Sequence, residues 1–450
     1  MTRPRNIIMI VADSLRYDSV YGYGLGRMPY TTSHAAQFHQ ARSSGCWTLP
    51  AHASLFTGML PHEHGATSQT RNLHASIPTL AEQLREAGYR TQQVTANVVT
   101  TDIFGLDRGF DEVHKIWEAI APRFRTLYKT FILLGKPRVR RLLLSRDGIM
   151  HQLSDDLRVG QCWVQNTHGD IFRRSRKILK EGEQEGRGTF LFLNLMETHF
   201  PYHVGPTFQL SADAWSDRLG ELAGLYHMVN QSFLTSEREY IDDRIGQILR
   251  NRQIKSWRLL SKPLDKFIRT LHEDQDNLVI FLADHGDNFG DQDWYYHFTN
   301  VTDAGNRVPF FWFDPRHEHK GDFHHPISTR FIHDEILNLC GLPNRGGSLF
   351  SEQAINQPIM QSYWYDNHGQ TLDKYKYNQL AFVEGRERYL FRRGQWYSAP
   401  RQQELEMEAT FKPMGNGLNP VLEAVQDRDR REYLSKQVKD FEEFSDEIPM

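Results

Sequence analysis

The sequence predicts an α/β protein built on a mostly parallel sheet between helices. Three continuous, β-prone apolar runs support this prediction, at residues 6–12, 189–196 and 277–283. Because these runs lack the alternation of a half-exposed strand, they are typical of central strands that are buried on both faces. A strand, helix, strand pattern that includes residues 76–95 fits the same doubly wound arrangement.

The helices of this α/β part are predicted from apolar periodicity and from residues that start and stop helices. After Pro78, the stripe of Leu80, Leu84 and Ala87 ends at Gly88, which predicts a short helix before a strand at residues 91–95. Further helices are expected at residues 236–250, 257–272 and 328–339, and a short strand at residues 307–312.

The carboxyl-terminal part has a different texture. Residues 357–365, 378–384 and 389–396 are short β-like runs separated by turn residues, and a charged helical stretch follows at residues 421–444. This pattern predicts a small antiparallel sheet with a closing helix. Because 450 residues exceed the usual single core, we expect a main domain over residues 1–350 and a small α+β subdomain over 351–450.

The composition describes a folded protein and excludes some partners. The apolar fraction of 39% and the aromatic fraction of 12% argue against disorder. A net charge of −3 gives no reason to expect a role as a nucleic-acid scaffold. Cys46, Cys162 and Cys340 are too widely spaced to predict a disulfide framework or a zinc cluster. Since the first apolar run is too short for a secretion signal, we expect a cytoplasmic protein.

Residues 117–187 are predicted to be a helical insertion with a basic segment. Residues 123–146 contain eight basic side chains, no acidic one, and interleaved apolar residues. Such a surface could meet anionic lipid or gather an anionic substrate, so peripheral membrane contact stays open. The alternative is favoured: an insertion packed on the domain or on another subunit, with its arginines solvated.

Candidate metal ligands follow two of the apolar runs. Asp13 comes directly after the first run, and Asp284 and His285 come directly after the third. The carboxyl edge of an open α/β sheet is where ligands bind, and these side chains suit a divalent ion. Two alternatives stay open: Asp13 could cap a helix together with Ser14, and the Asp284 segment could be an ordinary turn.

The segment W-T-L-P-A-H-A-S-L-F-T-G contains a candidate nucleophile, Thr48. A threonine hydroxyl is a poor nucleophile at neutral pH, so it needs an adjacent base or a metal ion. The same ion would neutralise charge on a transferring phosphoryl or sulfuryl group, while nearby side chains hold the other oxygens. The candidates for this second role are His52, Asn97, His199 and His297.

Six sequence motifs occur in order along the chain. They are N-I-I-M-I-V-A-D-S-L-R-Y-D, T-L-P-A-H-A-S-L-F-T-G with L-P-H-E-H-G, D-R-G-F-D-E, M-E-T-H-F-P-Y, L-A-D-H-G-D, and His297 ten residues before R-V-P. This set resembles the sulfatase branch of the alkaline-phosphatase superfamily over nearly the whole chain. The resemblance implies an alkaline-phosphatase-like fold, with a mixed, mostly parallel sheet sandwiched by helices and a catalytic domain over residues 1–350.

The resemblance also assigns roles. It implies a metal site with four ligands, which are Asp13, Thr48, Asp284 and His285. Thr48 is at the same time the implied nucleophile, so the expected chemistry is ester hydrolysis through a covalent intermediate on this residue. His199 and His297 would contact the ester or protonate its leaving group. Asn97 stands where many sulfatases carry a lysine that touches the transferred group.

Two departures from the family pattern shift the expected chemistry. Sulfatases of the formylglycine type carry C-x-P-S-R or S-x-P-S-R, whereas this chain has Thr48 and His52 at the nucleophile and basic positions, so no formylglycine is expected. Ser14 stands where a second aspartate often binds calcium, and His285 replaces a common asparagine. We therefore expect one divalent ion, with Mn²⁺ favoured over Ca²⁺, Zn²⁺ or Mg²⁺, as in phosphonate-monoester hydrolases.

Three functions are compatible with these features of the sequence. The first is a metal-dependent hydrolase of a phosphate, phosphonate or sulfate ester, which makes an anionic ester the expected partner. The second is a transferase that passes the group to a glycan or lipid alcohol. The third is an inactive metal-binding homologue, which the intact candidate ligand set disfavours. The family resemblance also leads us to expect a homo-oligomer.

Overall fold

An eight-stranded mixed sheet forms the centre of the fold in the computed structural model. The structure describes residues 4–116, 167–200, 202, 243–273, 277–297, 300–314, 319–351, 357–363, 372–401 and 410–447. In spatial order the strands are β11 (Gly321–Phe323), β2 (Ala36–Phe38), β10 (Phe310–Phe313), β7 (Asn277–Ala283), β1 (Asn6–Ala12), β6 (Thr189–Leu195), β4 (Arg90–Thr95) and β5 (Glu112–Lys115).

The three apolar runs form the middle of this sheet, as the sequence predicts. β1 pairs in parallel with β6 on one side and with β7 on the other, and all residues of these three strands are buried. β10 is antiparallel to both of its neighbours, β7 and β2. The predicted fold class is therefore confirmed: a mixed, mostly parallel sheet with a separate small antiparallel sheet.

Helices cover both faces of the large sheet. The described α-helices of the whole chain are α1 (Tyr17–Tyr23), α2 (Pro29–His34), α3 (Thr48–Thr57), α4 (Pro61–His64), α5 (Leu80–Glu86), α6 (His168–Gln184), α7 (Asp243–His272), α8 (Asp303–Asn306), α9 (Ile332–Leu339), α10 (Asn419–Glu423) and α11 (Arg428–Glu447). On one face, Trp257 of α7 stacks on Phe281 of β7. On the other, Phe56 of α3 meets Phe192 of β6 edge-on. The helix that begins at Thr48 thus packs on the central strands.

A five-stranded antiparallel sheet follows in the carboxyl-terminal part. Its strands are β13 (Ile359–Ser362), β14 (Gln379–Glu384), β15 (Glu387–Arg392), β16 (Gln395–Pro400) and β17 (Lys412–Gly415). Phe382 and Trp396 from this sheet form one apolar cluster with Val438 and Phe441 of α11. Two short strand pairs complete the described sheets, β3 (Ala41–Arg42) with β12 (Ile327–Ser328) and β8 (Asn288–Phe289) with β9 (Tyr295–Tyr296).

Three predictions of secondary structure differ from the structure. The two helices expected at 236–250 and 257–272 form one helix where they are described, α7, because no residue between them stops a helix.

The run at 389–396 is not one strand but the hairpin of β15 and β16. Its turn at Arg393 and Gly394 has positive φ angles, 56° and 69°, and an Arg-Gly pair is a weak turn signal. The closing helix is split into α10 and α11, with Asp427 accepting from the backbone N–H of Arg430.

The predicted insertion lies mostly outside the described residues. Its last part is described as α6, which packs Phe172 on Phe267 of α7 at 4.0 Å between ring centroids. The basic segment at 123–146 belongs to the undescribed part, so both alternatives for it stay predictions. In the part of the chain that the structure describes, no helix is long and apolar enough to cross a membrane.

Candidate functional site

The candidate site lies at the carboxyl ends of neighbouring parallel strands. Asp13 follows β1, Asp284 and His285 follow β7, and Asn97 follows β4. Because β4, β6, β1 and β7 are adjacent and parallel, their carboxyl ends meet at one edge of the sheet. The chain therefore brings together residues that are far apart in sequence simply by placing the strands in register.

Asp13, Asp284 and His285 form a buried group whose ligand atoms all lie within 4.8 Å of one another. His285 Nε2 is 3.4 Å from Asp284 Oδ2 and 3.8 Å from Asp13 Oδ1. Thr48 Oγ1 is 3.5 Å from both Asp13 Oδ2 and His285 Nε2. The four predicted metal ligands are thus gathered around one point.

Local backbone contacts hold the two carboxylates in place. The backbone N–H groups of Ser14 and His285 donate to Asp284 Oδ1 at 3.1 and 2.9 Å. The Ser14 hydroxyl donates to Asp13 Oδ1 at 2.9 Å. Ser14 has a φ angle of 60°, a left-handed conformation that non-glycine residues adopt at a cost. The helix-cap alternative for Asp13 is not realised, because α1 begins after Arg16.

The orientation of His285 fits a cation at this point. Its Nδ1–H donates to the carbonyl of Gly286 at 2.9 Å, so Nε2 carries the lone pair that faces the site. Asp284 Oδ2 is buried and has no hydrogen-bond partner among the described residues. Lone pairs of a histidine, two carboxylates and a hydroxyl would repel one another without a positive charge between them. Oxygen and nitrogen donors of this kind suit a divalent metal ion.

The electrostatics of the two carboxylates agree with this assignment. Burial opposes ionisation of Asp13, but nearby histidines, led by His199 and His285, outweigh it and lower the pKa of Asp13 to about 2. Burial and the neighbouring Asp13 raise the pKa of Asp284 well above its usual value. Two negative charges in one buried site are therefore unfavourable by themselves, and a divalent cation would relieve this.

Thr48 and Asn97 complete the wall of the site next to Asp13. Thr48 is the first residue of α3, so its hydroxyl lies at the positive end of the helix dipole, which favours negative charge there. Asn97 Oδ1 accepts from the backbone N–H of Val99 at 2.8 Å, which turns Nδ2 toward the site. Nδ2 donates to Asp13 Oδ2 at 2.6 Å and lies 3.5 Å from Thr48 Oγ1.

His52 lies one turn further along α3, beneath the candidate metal position. Its side chain is fully buried, with Nδ1 2.8 Å from the Thr48 carbonyl and 3.5 Å from Asp284 Oδ2. Its ring meets the edge of Phe192, and burial lowers its pKa to about 4. A neutral His52 that donates through Nδ1 supports the backbone of Thr48; its predicted contact with the substrate remains a prediction.

His199 and His297 lie side by side at the same edge of the sheet, with ring centroids 5.5 Å apart. His199 is partly exposed; its Nδ1 donates to the Phe200 carbonyl at 2.7 Å, and its Nε2 is 4.0 Å from Asp13 Oδ1. The ring of His297 is buried and lies 4.3 Å from the ring of His285. Both predicted ester-contacting histidines are therefore next to the candidate metal group.

Some residues of the site were not predicted. Asp287 is buried beside His297, and burial raises its pKa to about 7; the sequence signal was its place at the end of L-A-D-H-G-D. Tyr202 donates to Asp287, and Thr198 donates to the backbone carbonyl of Asp13 at 2.8 Å. No sequence pattern singled out Tyr202 or Thr198 for these contacts.

Comparison with known proteins supplies the family. The family model named sulfatase matches residues 5–342, about three quarters of the chain. The chain belongs to the sulfatase family. It is thereby an ester hydrolase by family. No curated protein sequence matches it.

Several solved structures have the same fold as this sulfatase-family chain. A phosphonate monoester hydrolase from Silicibacter pomeroyi is 17% identical, with a TM-score of 0.62, over 97% of this chain and 95% of that one. A protein of the alkaline phosphatase superfamily from Vibrio parahaemolyticus is 15% identical, with a TM-score of 0.57 over 99% and 89%. A 2-O GAG sulfatase is 15% identical, with a TM-score of 0.55 over 98% and 93%. At these identities the likeness establishes a shared fold.

Proposed function

We propose that this sulfatase-family protein hydrolyses a phosphonate, phosphate or sulfate ester with Thr48 as its nucleophile. The observation that carries the proposal is the position of the Thr48 hydroxyl, 3.5 Å from Asp13 and from His285, at the start of α3. A hydroxyl held against a candidate metal group and a helix amino terminus has the environment that an alkoxide nucleophile needs.

One divalent ion would be held by the four residues around this point, which are Asp13, Asp284, His285 and Thr48. When bound, it would lower the pKa of the Thr48 hydroxyl and neutralise charge on the transferred group. Mn²⁺ is favoured because a histidine is among the ligands and Ser14 takes the place of a further carboxylate, while hard-oxygen cages suit Ca²⁺.

The proposed reaction has two steps. Thr48 Oγ, its proton released to bulk water, forms a bond to phosphorus or sulfur, and the bond to the leaving oxygen breaks. That oxygen takes a proton from Nε2 of His199 or His297 in its imidazolium form. A water molecule then attacks the covalent ester: one of its protons goes to the same histidine, the other stays on the free acid, and the released Thr48 oxygen takes a proton from bulk water. Asn97 Nδ2, directed at Thr48, holds an oxygen of the transferred group.

Phosphonate and phosphate esters are proposed ahead of sulfate esters. The nucleophile is an unmodified threonine followed by His52 rather than a formylglycine precursor followed by arginine. Among solved structures with this fold, those of phosphonate monoester hydrolases have a TM-score of 0.62, and that of the 2-O GAG sulfatase has 0.55. A panel of p-nitrophenyl sulfate, phosphate, phosphodiester and phosphonate esters, each with Mn²⁺, Ca²⁺, Mg²⁺ and Zn²⁺, distinguishes these classes.

Thr48→Ala tests the mechanism. We expect kcat on the best ester of that panel to fall by at least about a thousand-fold, because the covalent step is lost. Thermal unfolding should stay close to that of the parent. Thr57→Ala, at the other end of α3, is the matched control, since it removes a buried threonine hydroxyl that donates within the helix, to the Ala53 carbonyl. Substantial turnover in Thr48→Ala would refute the nucleophile assignment.

Transfer of the group to an alcohol is the competing outcome of the same chemistry. The basic segment at 123–146, which motivates it, lies outside the described residues. Glycerol or a glycan added to the assay distinguishes the two: a new ester of the added alcohol supports transfer, and release of only the free acid supports hydrolysis.

A further inference from the structure

A buried carboxylate, that of Asp287, contacts a histidine of the proposed active site from behind. Asp287 Oδ1 lies 2.5 Å from His297 Nδ1, and both side chains are buried. When Asp287 is ionised its oxygens can only accept, so Nδ1 then carries the hydrogen of this bond. The bond commits Nδ1 of His297, so a contact of its ring with the ester has to be made through Nε2.

The second oxygen of Asp287 is held by a tyrosine from another part of the chain. The Tyr202 hydroxyl donates to Asp287 Oδ2 at 2.9 Å, and it is buried. Tyr202 itself has a φ angle of 56°, so its backbone adopts this position at a cost. Arg16 donates to the Asp287 carbonyl at 2.9 Å. Hydrogen bonds therefore hold both carboxylate oxygens of Asp287 and also its backbone carbonyl.

The place of His297 makes this orientation matter. Its ring packs against the ring of the candidate metal ligand His285, with centroids 4.3 Å apart, and against that of Tyr296, with centroids 3.8 Å apart. His199 is also close, at 5.5 Å. A ring in this position can rotate or exchange tautomers and still remain packed, so packing alone does not decide which nitrogen faces the ester.

We propose that Asp287, held by Tyr202, is the positioning residue of His297: it selects the tautomer and ring orientation that directs Nε2 toward the ester. This inference rests on the proposed function, in which His297 contacts the ester or its leaving group. Asp287 is not a metal ligand in this assignment, since both of its oxygens are bonded and it stands outside the group of Asp13, Asp284 and His285.

A double-mutant cycle of Asp287→Asn and His297→Gln tests the proposal. Asparagine has the same size but one acceptor oxygen instead of two. We expect Asp287→Asn to lower kcat by about ten- to a hundred-fold, with KM and bound metal content close to the parent. In the His297→Gln background the same change should have no further effect. Equal effects of Asp287→Asn in both backgrounds, or loss of the metal, would overturn the proposal.

A measurement that needs no turnover separates this proposal from the proposed function. In the Zn²⁺-loaded protein, ¹⁵N spectra of the imidazoles, assigned by loss of signals in His297→Gln, should show one Nδ1–H tautomer for His297. Asp287→Asn should give a mixture. An unchanged tautomer in Asp287→Asn overturns the positioning role even if the parent hydrolyses esters; the expected shift supports it even if no ester of the panel is turned over.

Tyr202→Phe provides the second variant in case Asp287→Asn does not fold. It removes one hydrogen bond to Asp287 and should lower kcat in the same direction by a smaller factor, again only when His297 is present. Tyr363→Phe is the matched control: its buried hydroxyl bonds to Gln361 in the carboxyl-terminal sheet, and its removal should leave kcat unchanged. Equal kcat for Tyr202→Phe and Tyr363→Phe counts against the role of Tyr202.

Discussion

At the scale of single residues, Ser14 shows how the site differs from one with another carboxylate. Its backbone N–H donates a hydrogen bond to Asp284, and its hydroxyl donates one to Asp13. Ser14 therefore orients two candidate ligands without adding a charge. An aspartate at this position would add a third negative charge to the site, which is the kind of ligand set that Ca²⁺ prefers. The serine therefore leaves the site with one negative charge fewer than an aspartate would.

His64 is a buried histidine away from the site with a consequence for stability. Its Nδ1 accepts from the backbone N–H of Ala66 at 3.0 Å, so Nε2 carries the hydrogen and donates to Ser54 at 3.1 Å. Burial, helped by the neighbouring His62, lowers its pKa to about 3. In the unfolded chain its pKa is about 6.5, so below that pH the unfolded state binds a proton that the folded state does not.

We therefore predict that His64 makes the folded protein less stable as the pH falls from about 6.5 toward 3. The free energy of unfolding should fall by up to about 1.4 kcal/mol per pH unit from this residue. His64→Asn should be less stable at neutral pH but should lose less stability on acidification. Urea unfolding between about pH 7 and 5 measures both slopes. His74→Asn, at an exposed histidine, is the control, and equal slopes for parent and His64→Asn would contradict the prediction.

At the scale of elements, α3 has the proposed nucleophile at its first residue and contacts helix α9 at its other end. Thr48 begins this helix, and Gly58 ends it with a φ angle of 70°. A Cβ atom added at Gly58 would lie 2.8 Å from His333 Nδ1, and that nitrogen is itself bonded to Asp334 at 2.9 Å. The carboxyl end of α3 thus depends on a residue without a side chain.

Gly58→Ala should cost more than Gly65→Ala, although both glycines have a φ angle of 70°. A Cβ at Gly65 has no atom within 4 Å, so that change reports only the left-handed conformation, about 1–2 kcal/mol. Gly58→Ala adds overpacking against His333, about 1–3 kcal/mol more. Urea unfolding of the two variants gives the difference directly. Equal losses would mean that His333 moves aside freely.

At the scale of the whole molecule, a buried charge cluster joins the five-stranded sheet to β3 and α8. Asp303 of α8 accepts two bonds from Arg42 of β3, each 3.0 Å, and one from Arg388 of β15 at 2.9 Å. All three side chains are buried. Although burial opposes it, Arg388 and Arg42 hold the pKa of Asp303 well below its usual value. One carboxylate is therefore the shared counter-ion of two guanidinium groups.

Removal of the acid should be far more damaging than removal of one arginine. Asp303→Asn removes the carboxylate that both buried guanidinium groups share and should cost about 3–5 kcal/mol. Arg388→Met leaves Asp303 paired with Arg42 and should cost clearly less. Urea unfolding of both variants measures the difference. A loss in Arg388→Met as large as that in Asp303→Asn would show that the contact of Arg388 with α8, rather than the charge balance, dominates.

Much of the central sheet and its edge could be predicted from the sequence. The runs at β1, β6 and β7 are apolar along their whole length, which indicates burial on both faces, and the residues that follow them meet because parallel strands end together. The hairpin of β15 and β16 could not be predicted in the same way. Its turn at Arg393 and Gly394 and the pairing of its strands depend on packing against α11 more than on a strong local signal.

The sequence by itself determined which side chains gather at the edge of the sheet: Asp13, Thr48, Asp284 and His285 lie together as their motifs imply. Only the tertiary structure decided how the histidines are oriented. Nδ1 of His297 is committed to Asp287, ten residues away, and Asp287 to Tyr202, 85 residues away. The physical reason is that apolar periodicity records the burial of a segment, whereas the direction of a hydrogen bond depends on a partner that folding brings from elsewhere.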